Sequence, residues 1–376
     1  MKKFILILMM FVTSSMFGYY TTDGFIDFLV DTNQFRARLD RVGFKLAVNN
    51  FHIAAGLTGA NGGLLLQSSK ENPFLEEGTN TIVFQPNAIV GFGYKTPIIG
   101  VGVGYQFNYT EDYQIHTPLF TMYALDNDIR FNIPIDIGVG ARKLENQMGI
   151  STAPEFRYYF NLPFLSHIRV YGRYGQYEDK NFSDVKSSSF GLAARIYFKA
   201  ELENIVIEPI IRINYDQAIK GYNFDVTAQN RSSIGGIDSY SGTYSDDLSL
   251  IKSTYGVAIL EPYRVGISLP VGFSAGNDFI WIYLEPAISF SMIGGKDMYE
   301  SNQNSPVLVK KRSDPFYSIA YIMYGEFYMH PTPALEWYTE IQTGGVSVGG
   351  FTRNAGKTEM VFNASTGLTW YFNLPN

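Results

Sequence analysis

Strict two-residue alternation, sustained for a dozen residues at a time, constrains this chain more than any other feature. From Ile99 to Tyr109 the odd positions are Ile99, Val101, Val103, Tyr105, Phe107 and Tyr109; the even ones are Gly100, Gly102, Gly104, Gln106 and Asn108. The same pattern returns at 129–141, 263–273, 280–292 and 362–372. A period of two places successive side chains on opposite faces of a strand. Runs of 11 to 13 residues are about twice the usual strand length. About fifteen such runs begin, near Gln34, Phe51, Thr81, Ile98, Tyr113, Ile129, Ile150, Ile168, Ser188, Ile205, Tyr255, Phe279, Tyr317, Leu335 and Thr358. No candidate helix exceeds two turns, and no Pro/Gly/Ser linker separates two halves, so one all-β domain is expected.

The connections between runs are of two kinds. Short ones lie at 48–50, 95–97, 126–128, 199–204, 274–278 and 330–334, and longer polar ones near 61–80, 178–187, 216–250, 294–316 and 348–357. Short turns alternating with long loops, between strands of about 10 residues, are the sequence form of an up-and-down antiparallel transmembrane β-barrel. No stretch after residue 20 reaches the roughly 18 consecutive apolar residues of a transmembrane helix. The expected barrel has 14–16 strands, with 16 preferred. An even number keeps both termini on one side, and a short first strand around Phe25 to Val30 would complete sixteen.

In such a barrel every second residue faces lipid, with Tyr and Phe near the ends as interfacial girdles. Glycine then belongs on the inward face, where long side chains of neighbouring strands need room. Arg130, Asp136, Glu155, Arg157, Arg169, Arg173, Arg195, Glu208, Arg212, Arg264, Glu285, Glu326, Glu336 and Glu340 all fall in the non-apolar phase. A charge on the lipid face near the midplane would cost roughly 2–4 kcal/mol. Pro118, Pro134, Pro154, Pro209, Pro270 and Pro286 sit inside runs, where each removes a ladder donor; bulges or membrane-rim positions are expected there.

The N-terminus reads as a secretory signal over residues 1–18, followed by the barrel over 19–376. Lys2 and Lys3 form the positive region, Phe4 to Val12 the apolar core, and Thr13 to Gly18 the small-residue cleavage region. Losing the two lysines takes the formal charge from -6 to -8 (-6 minus 2). That acidic balance argues against nucleic acid as a partner. The absence of cysteine removes disulfides, thiolate metal sites and cysteine nucleophiles. The four histidines, His52, His116, His167 and His330, stand at no metal-ligand spacing, and no hydrolase, metalloprotease or phosphate-loop motif is present. No cofactor, no metal and no catalytic activity are expected. His116, before Thr117 and Pro118 in a strand, reads as a polar lumen residue.

The lumen charges carry more information. Arg130, Arg157, Arg169, Arg173, Arg195, Arg212 and Arg264 come from consecutive runs, and Glu285, Glu326, Glu336 and Glu340 from later ones. Adjacent runs are adjacent staves, so a basic arc would face an acidic arc. One reading is a water-filled pore whose charge tunes selectivity; the other is a salt-bridged interior that fills a closed barrel. A pore of this size could also be plugged by the 61–80 or the 216–250 loop.

The stretches "NQFRARLDRVGF" (33–44), "GVGVGYQFNYT" (100–110), "HTPLFTMYALDNDIRFNIPI" (116–135), "IRVYGRYGQY" (168–177), "FGLAARIYF" (190–198) and "YDQAIKGY" (215–222) resemble the variable surface proteins of intestinal spirochaetes. The resemblance spans most of the mature chain. It implies an abundant, surface-exposed outer-membrane antigen met by host antibodies, and leaves homo- or hetero-oligomeric assemblies open. It carries over no catalytic residue. Three functions are compatible with the sequence: a variable antigen, a general diffusion porin and an adhesin. The low-demand loop "SSIGGIDSYSGTYSDDLS" (232–249) favours the first, and the inward charges the second. Outer-membrane lipid and the outer-membrane insertion machinery are the expected partners, the latter reading the aromatic terminal run Leu368, Trp370, Phe372.

Overall fold

The computed structural model describes residues 22–31, 33–38, 41–59, 66–68, 82–84, 86–109, 113–142, 145–160, 162–180, 185–220, 257–260, 263–295, 297–301, 308–312, 314–349 and 358–372. The strands are β1 (Gln34–Arg38), β2 (Arg41–Val48), β3 (Phe51–Gly59), β4 (Leu66–Ser68), β5 (Ile82–Phe84), β6 (Pro86–Lys95), β7 (Ile99–Tyr109), β8 (Tyr113–Ala124), β9 (Ile129–Gly140), β10 (Gln147–Thr152), β11 (Glu155–Tyr159) and β12 (Leu165–Asp179). They continue with β13 (Val185–Phe198), β14 (Ala200–Leu202), β15 (Ile205–Lys220), β16 (Val257–Leu260), β17 (Tyr263–Gly276), β18 (Ile280–Gly294), β19 (Asp297–Ser301), β20 (Leu308–Arg312), β21 (Phe316–Thr332), β22 (Leu335–Gly349) and β23 (Thr358–Phe372).

Successive long strands pair antiparallel in chain order, and β23 returns to pair with β1, from Phe35↔Phe372 to Arg38↔Thr369. The sheet therefore closes on itself as a 16-strand antiparallel barrel. Here β10 with β11, and β13 with β14, each make one stave. The short strands β4 and β5 pair with each other, as do β16, β19 and β20, outside the barrel sheet. Among the described residues no helix is long and apolar enough to cross a membrane; the strands present the apolar surface instead. Phe92 is 62% exposed, Val103 57% and Ile288 56%. These values belong to a surface covered by lipid rather than water.

The sixteenth strand is not where the alternation suggested. Residues 25–30 do not form a strand: Thr22–Asp27 is a 3-10 helix, followed by a turn. The run from Gln34 instead splits into two strands, β1 and β2, with Ala37 opposite Val42. Its apolar phase changes between Phe35 and Ala37 (odd) and Phe44, Leu46 and Val48 (even). A phase change of this kind is a turn, because one continuous strand would keep its apolar residues on one face.

The prolines also differ from expectation. Pro154 does interrupt a stave, between β10 and β11. Around Pro118 and Pro134 the register of β8 and β9 is the same on both sides, as it is around Pro209 and Pro270. Pro286 stands directly opposite Met323. A proline lacks one donor on one strand edge, and a long ladder holds its register across that gap. The 178–187 connection is shorter than expected, since β12 and β13 stay paired to Asp179↔Val185. The connection at 216–250 begins later, after Lys220, and the rest of it, like most of 61–80 and 348–357, lies outside the described residues, as do residues 1–18. The span 294–316 contains β19 and β20.

Strand order places all connections of one parity at one end. There the links are short: 49–50, 96–98, 125–128, 160–164, 203–204, 277–279 and 333–334. Residues with positive φ close several of them, namely Asn49, Leu125, Asp126, Asn127 and Glu203. The connections of the other parity are uneven: 39–40 and 110–112 are short, 141–146 contains Arg142 and Asn146 at positive φ, and the longest stretches of sequence between strands, 221–256 and 350–357, also belong to this set.

Candidate functional site

The chain forms two compact units. The first comprises Met1–Gln147, Thr332–Glu336 and Gly367–Asn376, the second Met148–Pro331 and Trp337–Thr366. In the first, the inner face is occupied by the segment that precedes β1. Phe25, Ile26, Phe28 and Leu29 are 0–1% exposed, and Phe25 stacks on Phe28 at 4.9 Å. Three of these side chains, Phe25, Phe28 and Leu29, sit on the glycine faces of β6 and β7. A Cβ added at Gly91 would lie 2.5 Å from the Phe25 ring, at Gly104 2.6 Å from it, and at Gly102 3.2 Å from Phe28. At Gly93 it would meet Leu29. The glycine alternation thus makes a flat inner wall against which aromatic rings lie. Gly100 makes the same kind of room for Tyr123.

Polar contacts hold the segment. Arg130 Nη1 lies 2.5 Å from Asp27 Oδ1. Lys45, fully buried on β2, donates to the Asp31 carbonyl. Ala47 N donates to Asn33 Oδ1 at 2.7 Å, and His52 meets Phe28 edge-on at 6.1 Å. In the same unit Tyr371 Oη donates to Glu336 at 3.0 Å, and Thr117 Oγ1 to Asp136 at 2.6 Å.

The second unit carries two rows of charge across neighbouring strands. Strand register aligns Arg173 (β12), Gly191 (β13), Asp216 (β15) and Arg264 (β17). Asp216 accepts from Arg173 and from Arg264, the latter with Nε at 3.1 Å. The Arg173–Asp216 pair crosses over β13 at its glycine. A Cβ on Gly191 would lie 2.5 Å from Asp216 Oδ1 and 2.7 Å from Arg173 Nε. The second row aligns Arg157, Arg169, Arg195 and Arg212 on β11, β12, β13 and β15. Arg157 contacts Glu155, and Arg212 Nη2 lies 3.0 Å from Glu285 Oε1. Arg169 lies 4.8 Å over the Tyr197 ring and Arg195 4.9 Å over Tyr171. His167 stacks between Tyr159 and Tyr197, at 4.9 and 4.0 Å. Further round, Tyr283 donates to Glu285, Tyr324 to Glu326, and Ser365 to Glu340 at 3.3 Å.

A family model described as Serpulina hyodysenteriae variable surface protein matches residues 2–371. The chain belongs to that family. As a variable surface protein with a closed barrel and an apolar outer belt, it is an outer-membrane β-barrel. No curated protein matches it. Among solved structures it is similar to a bacterial polysaccharide outer membrane secretin, at 8% identity and TM-score 0.47, over 91% of this chain and 97% of that one. It is also similar to OmpT, an outer membrane protein of Vibrio cholerae, at 10% identity and TM-score 0.35, over 88% and 98%.

The variable surface protein brings Arg212 together with Glu285, as two members of the two expected arcs. Other expected charges find partners on their own or neighbouring strands, or, for Arg130, on the segment before β1. Arg130 meets Asp27, Arg157 meets Glu155, and Arg173 and Arg264 share Asp216. Asp216 stands at the start of the expected 216–250 connection, yet it lies within β15; its placement in phase with Arg212 and Asn214 is the signal that identifies it as a strand residue. Asp27 carries no comparable signal, because its position depends on a chain segment folding back over distant strands. His116 is a correction. It is not a lumen residue: it stands opposite Phe107 on the outward phase, with Nδ1 2.5 Å from Tyr105 Oη and its ring 5.1 Å from Phe107. Tyr113 and Pro118 flanked it too ambiguously for its phase to be read. Among the described residues no three His, Asp or Glu side chains gather as a metal site.

Proposed function

We propose that this variable surface protein is a non-catalytic surface antigen whose barrel is a fixed frame for changeable loops. The observation that carries the reading is the difference between the two ends. One end is closed by links of two to five residues, several with residues at positive φ, where length and sequence are constrained. At the other end, short links such as 39–40 and 110–112 stand beside the long polar stretches 221–256 and 350–357, which are chemically undemanding in sequence. Short turns face the periplasm and long loops the exterior in barrels of this type. Host antibodies, lipid, the insertion machinery and further copies of the chain are the partners this role implies. Antibodies raised against residues 232–249 should label intact cells. Labelling only after the outer membrane is permeabilised would overturn the reading.

The inner face supports a second role, passage of small solutes. Its charge rows and hydroxyls are a polar lining of the sort that water-filled barrels carry. Folded protein in planar bilayers should then give stepwise conductance. Replacing Arg169 and Arg173 with glutamate should shift ion preference toward cations. Folded protein that never conducts would leave the antigen role alone.

A further inference from the structure

The two charge rows of the second unit are built on opposite principles. In the row Arg173–Gly191–Asp216–Arg264 the charges alternate in sign, and glycine clears the path between them. In the row Arg157–Arg169–Arg195–Arg212 four positive residues stand directly opposite one another on four consecutive staves. Residues so paired have Cβ atoms roughly 4.5–5.5 Å apart, and like charges there are destabilising. The row then continues into Ser268 and Ser289, two short side chains.

Aromatic residues flank the arginines on both sides. The adjoining row on one side is Tyr159, His167 and Tyr197; on the other it includes Tyr171. Arg169 lies over Tyr197 and Arg195 over Tyr171. Arg169 Nε also lies 3.1 Å from His167 Nε2. Stacking engages the flat face of a guanidinium and fixes its plane, while its N–H donors lie in that plane. Planes fixed in this way are preorganised for the paired oxygens of a phosphate or carboxylate. The carboxylates Glu155 and Glu285 reach the two outer members, Arg157 and Arg212. The two central members are the stacked ones.

We propose that Arg169 and Arg195, flanked by Arg157 and Arg212, form a binding row for a multivalent oxyanion, a small solute carrying two or more phosphate or carboxylate groups. The site rests on the reading of the inner face as reachable from water. A divalent or trivalent anion spans adjacent guanidiniums and offsets the repulsion among them. A monovalent anion engages one guanidinium at a time and is held weakly.

The test uses the full chain, folded in detergent micelles at low ionic strength, with pyrophosphate as the probe and chloride as the monovalent control. Calorimetry should detect pyrophosphate binding at least about tenfold tighter than chloride. The double variant R169Q/R195Q should weaken it at least tenfold. R169K/R195K should weaken it too, since lysine keeps the charge but lacks the planar fork. Should either variant fail to fold, the unaltered protein carries the test. Pyrophosphate should slow modification of Arg169 and Arg195 by phenylglyoxal, mapped by mass spectrometry. Absent binding, binding unchanged in R169Q/R195Q, or absent protection overturns the site. Bilayer recording on the same preparation separates the two ideas. Binding without conductance overturns passage and leaves the row; conductance without binding overturns the row and leaves passage.

Discussion

A glycine in a strand is a cost unless something needs its space, and here the occupants are identifiable. Gly91, Gly102 and Gly104 lie under Phe25 and Phe28, and Gly191 under the Arg173–Asp216 pair. The ion pair sets the sharper prediction at this scale. Asp216 is buried and serves two buried guanidiniums. Removing one partner of a buried network leaves uncompensated charge, at a cost of about 3–5 kcal/mol. Asp216→Ala should therefore lower the denaturant midpoint of the folded barrel substantially, read as loss of the heat-modifiable band. Asp216→Asn keeps an acceptor oxygen and should fall between. An alanine variant as stable as the parent would mean that the arginines are compensated elsewhere.

Among the elements, the 3-10 turn at Thr22–Asp27 differs most from its neighbours. It has no strand pairing, and its place depends on four apolar side chains, the Asp27–Arg130 ion pair and Lys45. Widening the wall beneath it should release it. Gly91→Leu places atoms where the Phe25 ring lies. Because the chain has no cysteine, a thiol introduced by Ile26→Cys reports this cleanly. Maleimide should react with it slowly in the parent background and at least about tenfold faster with Gly91→Leu, a change equivalent to roughly 1.4 kcal/mol in local opening. Equal rates would place the segment outside the barrel interior. The strands themselves were legible because period 2 is a local property: β7, β9, β17 and β18 begin and end within a few residues of their alternating runs. The turn was less legible, since F-I-D-F-L-V reads equally as a short strand. Only contact with β6 and β7 decides between them.

Closure governs the whole molecule. β23 pairs with β1, with Phe35 stacked on Phe372 at 4.5 Å, and on its other side with β22, next to which Tyr371 N donates to the carbonyl of Ala334 in the 333–334 turn at 2.8 Å. Truncation after Lys357 removes that whole stave and exposes two strand edges, which cannot be satisfied in hydrocarbon. The truncated chain should be absent from the outer-membrane fraction after detergent extraction; its accumulation there as a heat-modifiable barrel would show that the last stave is dispensable. The sequence by itself determined the class of fold and which phase of each long strand is apolar and faces outward. Both follow from alternation within a few residues. Tertiary structure decided which charges meet, that four arginines form one row while Asp216 balances another, and that the glycine wall holds the segment before β1. Those outcomes depend on strand register and on a fold-back across distant staves. A two-residue period fixes which face a side chain takes, but not how far along its neighbour it stands.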